Sequence, residues 1–281
     1  MPDGAGTRRR PLRIATVYAK KPFDDFRGWS MATVRWLRMS EAFAAMGHRV
    51  DVISDTPLPG PRHPNLSTVA WADVDWDDYD VVKTLFHQGF DRLQSAGGDD
   101  HPFIISKLGS VVGPEDTPGV YFFGEHRERL WETQRRMAGC SRHVAILTNE
   151  SLRLWASHFG DERLLHVPTG VDRNIPSPGP DPYGQLNGTA IALYLGNLYE
   201  GDAQRQVNIL WQERLNDLGR RLRDHDIRLF FAGSGRTDLL EPDAVTSLGP
   251  VDNEGTWDLQ FHADVGLALA QGPIQDNESS K

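Results

Sequence analysis

The chain has 281 residues, of which 39% are hydrophobic and 25% charged, and its 30 Lys and Arg against 39 Asp and Glu leave a formal charge of -9. At about 150 residues per domain this allows about two domains, each with its own core, and excludes a disordered chain. The acidic balance argues against a dedicated polyanion binder, because nucleic-acid affinity comes mainly from clustered Lys and Arg. The one such cluster, Arg8, Arg9 and Arg10, falls in a Pro/Gly-flanked tail, residues 1–11, expected to be solvated.

After the tail, RIATVYA (13–19) reads as a β-branched strand, followed by a polar loop from Lys20 to Ser30 and then a helix. Ala32, Trp36, Met39, Phe43 and Met46 share its inward face, with Ser30 and Gly47 placed to cap its ends. RVDVIS (49–54) is the next strand, which completes a βαβ unit and implies a parallel sheet. Further strands are expected at 79–86, 102–106, 119–123, 143–147 and 164–167, with helices over about 125–137 and 150–159. Residues 173–188 hold Pro176, Pro178, Pro180 and Pro182 and read as a linker. The alternation then restarts: a strand at 190–195, a helix burying Val207, Leu210, Trp211, Leu215, Leu218 and Leu222, and strands at 227–232, 245–248 and 264–270. The expected architecture is α/β, two Rossmann-like domains over 12–172 and 189–281, the second incomplete, as if the natural protein continued or the chain were a fragment.

Such sheets bind ligands outside the carboxyl ends of their strands. Topology therefore selects the loops at 20–30, 87–90, 107–109, 124–126, 148–150, 196–197, 233–236 and 271–281. No GxGxxG follows either opening strand, which disfavours a dinucleotide oxidoreductase. GSGRT (233–237) lacks the Lys-Ser/Thr end of a P-loop; its glycines either let a backbone approach a ligand or simply make a tight turn. His126 can hydrogen-bond a sugar or phosphate, move a proton, or be structural. Glu125, His126 and Glu128 lack convergent further ligands, so no metal is expected. Trp29 either stacks on an acceptor sugar or is buried, and His87 is the second acceptor-side candidate. Glu278, Ser279, Ser280 and Lys281 bring a carboxylate, two hydroxyls and an ammonium to the end of the chain. Cys140, the single cysteine, excludes an internal disulfide, and no window has the apolar length of a signal peptide core or a membrane span. A cytoplasmic protein is expected, with peripheral membrane contact left open.

In this order the motifs resemble those of the GT-B glycosyltransferases, of the retaining family 4 type or a close neighbour. AMGHRVDVIS is similar to the family's second strand, LLHVPTGVD (164–172) to its "IxVIPNGVD", LGNL (195–198) to "VGRL", and LFFAGSG (229–235) to "LxIVGxG". SLGPV (247–251) resembles "FLGxV", ADVGLAL (263–269) "ADVxVxP", and DNESSK (276–281) the start of the acidic E-x7-E motif. Asn197 stands where the family has the first of a basic pair, no Lys follows it before the next helix, and Arg205 is the substitute.

The resemblance implies transfer of a sugar from a UDP- or GDP-sugar to an acceptor hydroxyl with retention, without a metal, the donor sitting on the second domain and the acceptor on the first. It gives catalytic roles to His126 and Glu278, and donor binding to Gly28, Gly196, Asn197, Arg205, Gly233, Ser234, Gly235, Arg236, Ser279, Ser280 and Lys281. Acceptor binding falls to Trp29 and His87, and the acceptor itself, a saccharide, a lipid-linked compound or a small molecule, is left open. Two alternatives stand beside this: a catalytically incompetent nucleotide-sugar binding module, and another α/β enzyme such as a nucleotide-sugar epimerase.

Overall fold

The structure, a computed structural model, describes residues 10–18, 31–58, 63–107, 127–147, 149–167, 177–184, 186, 188–198 and 205–267. They belong to two compact units. The first holds β1 (Arg13–Val17), α1 (Met31–Ala45), β2 (Arg49–Ile53), β3 (Leu66–Val69), β4 (Val81–Leu85) and α2 (Phe86–Ser95), then β5 (Ile104–Lys107), α3 (Arg127–Cys140), β6 (His143–Ile146), α4 (Asn149–Phe159) and β7 (Leu164–His166). Its sheet is parallel throughout, in the order β3-β2-β1-β4-β5-β6-β7. The strand order reverses between β1 and β4, the kind of position where open α/β sheets take ligands.

A parallel sheet buries both faces, so its strands are short runs of apolar residues rather than alternating ones. Ile14, Val50, Val52, Val81 and Leu85 pack under Trp36, Leu37 and Ala44 of α1. Ala15, Val17, Ile53, Val82 and Ile104 pack with Leu93 of α2, and Val144 and Ile146 with Met137 of α3 and Trp155 of α4. Met46, expected on the inward face of α1, is 71% exposed, because the helix stops at Ala45 and Gly47 turns the chain out at φ +91°. The crossover from β3 to β4 uses two 3-10 turns, Trp71–Asp73 and Trp76–Asp78, in place of a helix. Trp71 and Trp76 supply the apolar cover, and the Arg92 guanidinium lies 4.6 Å over the Trp71 ring.

Arg13 gathers the amino-terminal edge. It bonds Asp51 at 3.1 Å and Asp78 at 2.7 Å, its backbone N–H donates to Asp80 at 2.8 Å, and its guanidinium lies 4.8 Å from the centre of the Tyr79 ring. Asp80 also pairs with Arg10, so the last arginine of the expected solvated tail is tied to the sheet. Lys83 is the unusual residue of this core: it is 6% exposed, and its Nζ donates to the carbonyls of Thr84 (3.2 Å) and Ile105 (3.3 Å). Burial, and then the neighbouring charge of Lys107, push its pKa down to about 7.

The second unit holds β8 (Ala190–Leu198), α5 (Arg205–Arg223), β9 (Ile227–Gly235), β10 (Val245–Gly249), α6 (Asn253–His262) and β11 (Val265–Gly266), with parallel order β10-β9-β8-β11. Trp211 and Leu215 of α5 cover Ala192, Leu229, Phe231 and Val245 on one face. Leu259 of α6 and Tyr183 cover Ile191, Leu193, Phe230 and Ala232 on the other. Tyr183 corrects the reading of 173–188 as linker alone. Its ring is buried against Phe230 and its hydroxyl donates to Leu259 O at 2.7 Å, while Gly179 N–H donates to Asp258 at 2.7 Å. The proline-rich composition hides one aromatic anchor. The strand expected at 119–123 lies outside the described residues.

Candidate functional site

Three glycines shape the carboxyl end of the second sheet. β8 and β9 stay paired to their last residues, Gly196 with Gly233, Asn197 with Ser234 and Leu198 with Gly235. Gly196–Asn197 and Gly233–Gly235, expected from sequence to be loops, are therefore strand. The pairing runs on because β9 carries no side chain at the closest approaches. A Cβ on Gly233 (φ +155°) would fall 1.6 Å from Gly196 O, and one on Gly235 (φ +110°) 1.5 Å from Leu198 O. The Arg236 N–H then donates to Leu198 O at 3.1 Å, which bolts the residue after β9 to the end of β8.

Beyond this clamp Ser234 and Arg236 are exposed. Arg236 donates to Asp238 at 2.6 Å, and this hydrogen bond holds the Asp238 carboxyl below its usual range. The segment that follows is fixed from α5: Gln212 accepts from Leu239 N–H (2.8 Å), and Asn216 accepts from Glu241 N–H (2.9 Å) and donates to Leu239 O (2.7 Å). Gln212 and Asn216 are 1% and 5% exposed. The apolar stripe of α5 gives no hint of these two amides, whose signal is two polar residues four apart at the margin of an inward face. Asn197 has its backbone in β8 and Arg205 opens α5, while their side chains lie outside the described residues.

In the first unit His87 is not in a loop. β4 ends at Leu85 and α2 begins at Phe86, so residues 87–90 are the start of a helix. The break residue expected between strand and helix is absent because Phe86 makes the turn itself at φ +58°. Gly89 lies against β1, where an added Cβ would meet Val17 O at 2.8 Å. His126, Glu278, Gly28, Trp29, Ser279, Ser280 and Lys281 all fall outside the described residues.

Among the described residues no group of three or more His, Cys, Asp or Glu is placed to hold a metal ion, and no helix is long and apolar enough to cross a membrane. In the first unit a groove of about 380 Å³ lies at the amino ends of β6 and β7, with Arg135, Arg136, Arg163, Glu132 and Glu162 among its lining.

No protein-family model and no curated protein matches the chain. Solved structures do. The sucrose-phosphate synthase of Thermosynechococcus elongatus superimposes with a TM-score of 0.61 at 13% identity, over 92% of this chain and 75% of that one. The Anabaena HepE protein, solved in complex with UDP and glucose, matches with a TM-score of 0.61 at 11% identity, over 92% and 73%. The catalytic domain of starch synthase IV from Arabidopsis thaliana, bound to ADP and acarbose, matches with a TM-score of 0.53 at 10% identity, over 92% and 78%. At such identities the likeness carries the architecture rather than the chemistry, and together with the two parallel sheets it shows that this chain has the GT-B fold, two Rossmann-like units in series.

Proposed function

We propose that the chain is a glycosyltransferase of the retaining family 4 type, which moves a sugar from a UDP- or GDP-sugar to an acceptor hydroxyl without a metal. The observation that carries this reading is the glycine clamp at the ends of β8 and β9. It brings the backbones of Gly196, Gly233 and Gly235 together at the carboxyl edge of the second sheet, with the Tyr194 ring against Gly196 and the exposed Ser234 and Arg236 at the border. A diphosphate needs that combination, close backbone approach with hydrogen-bond donors and a cation at the rim. The solved neighbours support it in kind, since the HepE structure holds UDP and the starch synthase structure holds ADP.

In the proposed reaction the bond from the anomeric carbon to the diphosphate breaks with its electron pair on the phosphate oxygen. The acceptor oxygen bonds the same carbon on the same face and passes its proton to the departing diphosphate oxygen. Stabilising the departing charge is the main electrostatic task. Arg236 serves it by exchanging Asp238 for the diphosphate, with Gly196, Asn197, Gly233, Ser234 and Gly235 lining the approach and Arg205, Ser279, Ser280 and Lys281 supplying further polar contacts. Glu278 holds the donor sugar, His126 one of its hydroxyls, and Gly28 leaves room beside the phosphate. Trp29 and His87 meet the acceptor.

Calorimetric titration with UDP and GDP tests the donor assignment: saturable binding of one of them is expected, and binding of neither sinks it. Release of nucleoside diphosphate from the matching nucleotide sugar tests catalysis. Binding without turnover would instead describe a nucleotide-sugar binding module, a reading favoured by the partner that Arg236 already has in Asp238. Glu278→Ala is expected to reduce turnover at least a hundredfold, and unchanged turnover would remove that carboxylate from the mechanism.

A further inference from the structure

The groove at the amino ends of β6 and β7 stands at the opposite ends of these strands from the loops where open α/β sheets take their substrates. Its volume of about 380 Å³ falls within the range of small-molecule sites. The floor is apolar. Val144 of β6, Leu164 of β7 and the half-buried Phe159 ring at the end of α4 form it, and the buried Trp155 ring, centred 4.6 Å from that of Phe159, supports it from the core.

The rim carries the charges of Glu132, Arg135, Arg136, Glu162 and Arg163, and the first three are already engaged. Arg135 bonds Glu132 at 3.3 Å. Arg136 donates to Gln94 at 2.6 Å and Thr133 at 3.1 Å, and it pairs with Asp91 at 3.6 Å. The two that remain are consecutive in sequence and opposite in sign. Arg163 donates to Ala138 O at a long 3.4 Å, and neither Arg163 nor Glu162 has an ion-pair partner among the described residues. Gly139 adds a third feature. It lies in α3 without a positive φ, and a Cβ there would meet nothing within 4 Å. Neither backbone conformation nor packing requires glycine at this position, and a helix is weaker for having one. The missing side chain leaves open room in the wall of the groove.

We propose that this groove binds a zwitterion with an apolar side chain, the chemistry of a free apolar α-amino acid. A guanidinium takes a carboxylate through its forked N–H donors, and a carboxylate takes an ammonium. Arg163 holds the carboxylate of the ligand and Glu162 its ammonium, while the side chain covers Phe159 and Leu164 and the α-carbon passes over Gly139. A simple anion would meet the charge of Glu162, and a simple cation that of Arg163. The assignment is independent of the glycosyl-transfer reading above.

Saturation-transfer NMR of the whole chain with L-phenylalanine and L-leucine tests it, and saturable transfer to at least one of them is expected. Hydrocinnamate lacks the ammonium, phenethylamine lacks the carboxylate and glycine lacks the side chain; each should bind weaker by about fivefold or more. Arg163→Met and Glu162→Gln change exposed side chains and should leave the melting temperature within about 2 °C of wild type. Each should weaken binding of the amino acid by about fivefold. Arg163→Met should leave phenethylamine binding unchanged, and Glu162→Gln that of hydrocinnamate. Gly139→Leu fills the groove without meeting a neighbour, and should abolish binding with the melting temperature not lowered. No saturable transfer to either amino acid, comparators bound as tightly, or binding unchanged in the charge variants or in Gly139→Leu would each overturn the proposal. A lowered melting temperature in Gly139→Leu would remove the argument from that glycine, and the two charge variants would then decide.

Discussion

Gly235→Ala tests the glycine clamp directly. The new Cβ would lie 1.5 Å from Leu198 O and 2.4 Å from Leu198 C. Ordinary carbon contacts begin at about 3.5 Å, so the ends of β8 and β9 must part by roughly 2 Å. That movement breaks the 3.1 Å bond from Arg236 N–H to Leu198 O, a loss of about 1 kcal/mol. An alanine held at φ +110° adds about 1–3 kcal/mol of backbone strain. The sum, about 2–4 kcal/mol, is to be read from urea unfolding followed by circular dichroism, with nucleotide affinity measured on the same protein and expected to fall at least tenfold. Gly139→Ala is the control. Gly139 lies in α3, where an added Cβ meets nothing within 4 Å, so alanine there should gain up to about 1 kcal/mol from helix propensity. A Gly235→Ala protein within about 0.5 kcal/mol of wild type, with its nucleotide affinity intact, would refute the clamp.

Two further perturbations have worked signs. Lys83 has a folded pKa of about 7 against 10.5 for the free side chain, so the unfolded chain holds its proton more tightly between those values. The resulting destabilisation is full below about pH 7 and is relieved as the pH rises towards 10.5; Lys83→Met should therefore stabilise the protein at pH 7 by about 2 kcal/mol or more and flatten that slope, as measured by urea unfolding across the range. Asn216→Ala strips partners from Leu239 O and Glu241 N–H, and should cost about 2–3 kcal/mol in the same unfolding measurement, with proteolysis expected to appear first within residues 236–244.

The elements that the sequence discloses are those whose apolar residues repeat at one period. β1, α1 and β2 follow from RIATV, the Trp36 stripe and RVDVI, and the second unit restarts as plainly at 190. β3 is not visible because LSTV has two apolar residues in four, too few to set a period, even though Pro64 and Asn65 mark a turn before it. α2 is hidden by Gly89 within it and by the missing break at Phe86, and α6 by an apolar face too weak to show a period. At the site, the glycines of GSG are legible as a place where something comes close. What comes close is the neighbouring strand, which depends on register and so on the folded partner. The amides of Gln212 and Asn216 have no signature along the chain, because whether a polar group is satisfied depends on neighbours distant in sequence.

The outermost strands of both sheets share a property that bears on behaviour at high concentration. β3 has four residues, β7 three, and β11 two, while β10 has five and shifts register between Ser247 and Gly249. The nine-residue strands, β8 and β9, lie side by side in the interior. Long, flat rims recruit other molecules into intermolecular ribbons, and short or bulged ones give an incoming backbone little to zip along. Among the described residues β9 is thus enclosed between β8 and β10, while β11 covers the other edge of β8 only at Ala192 and Leu193.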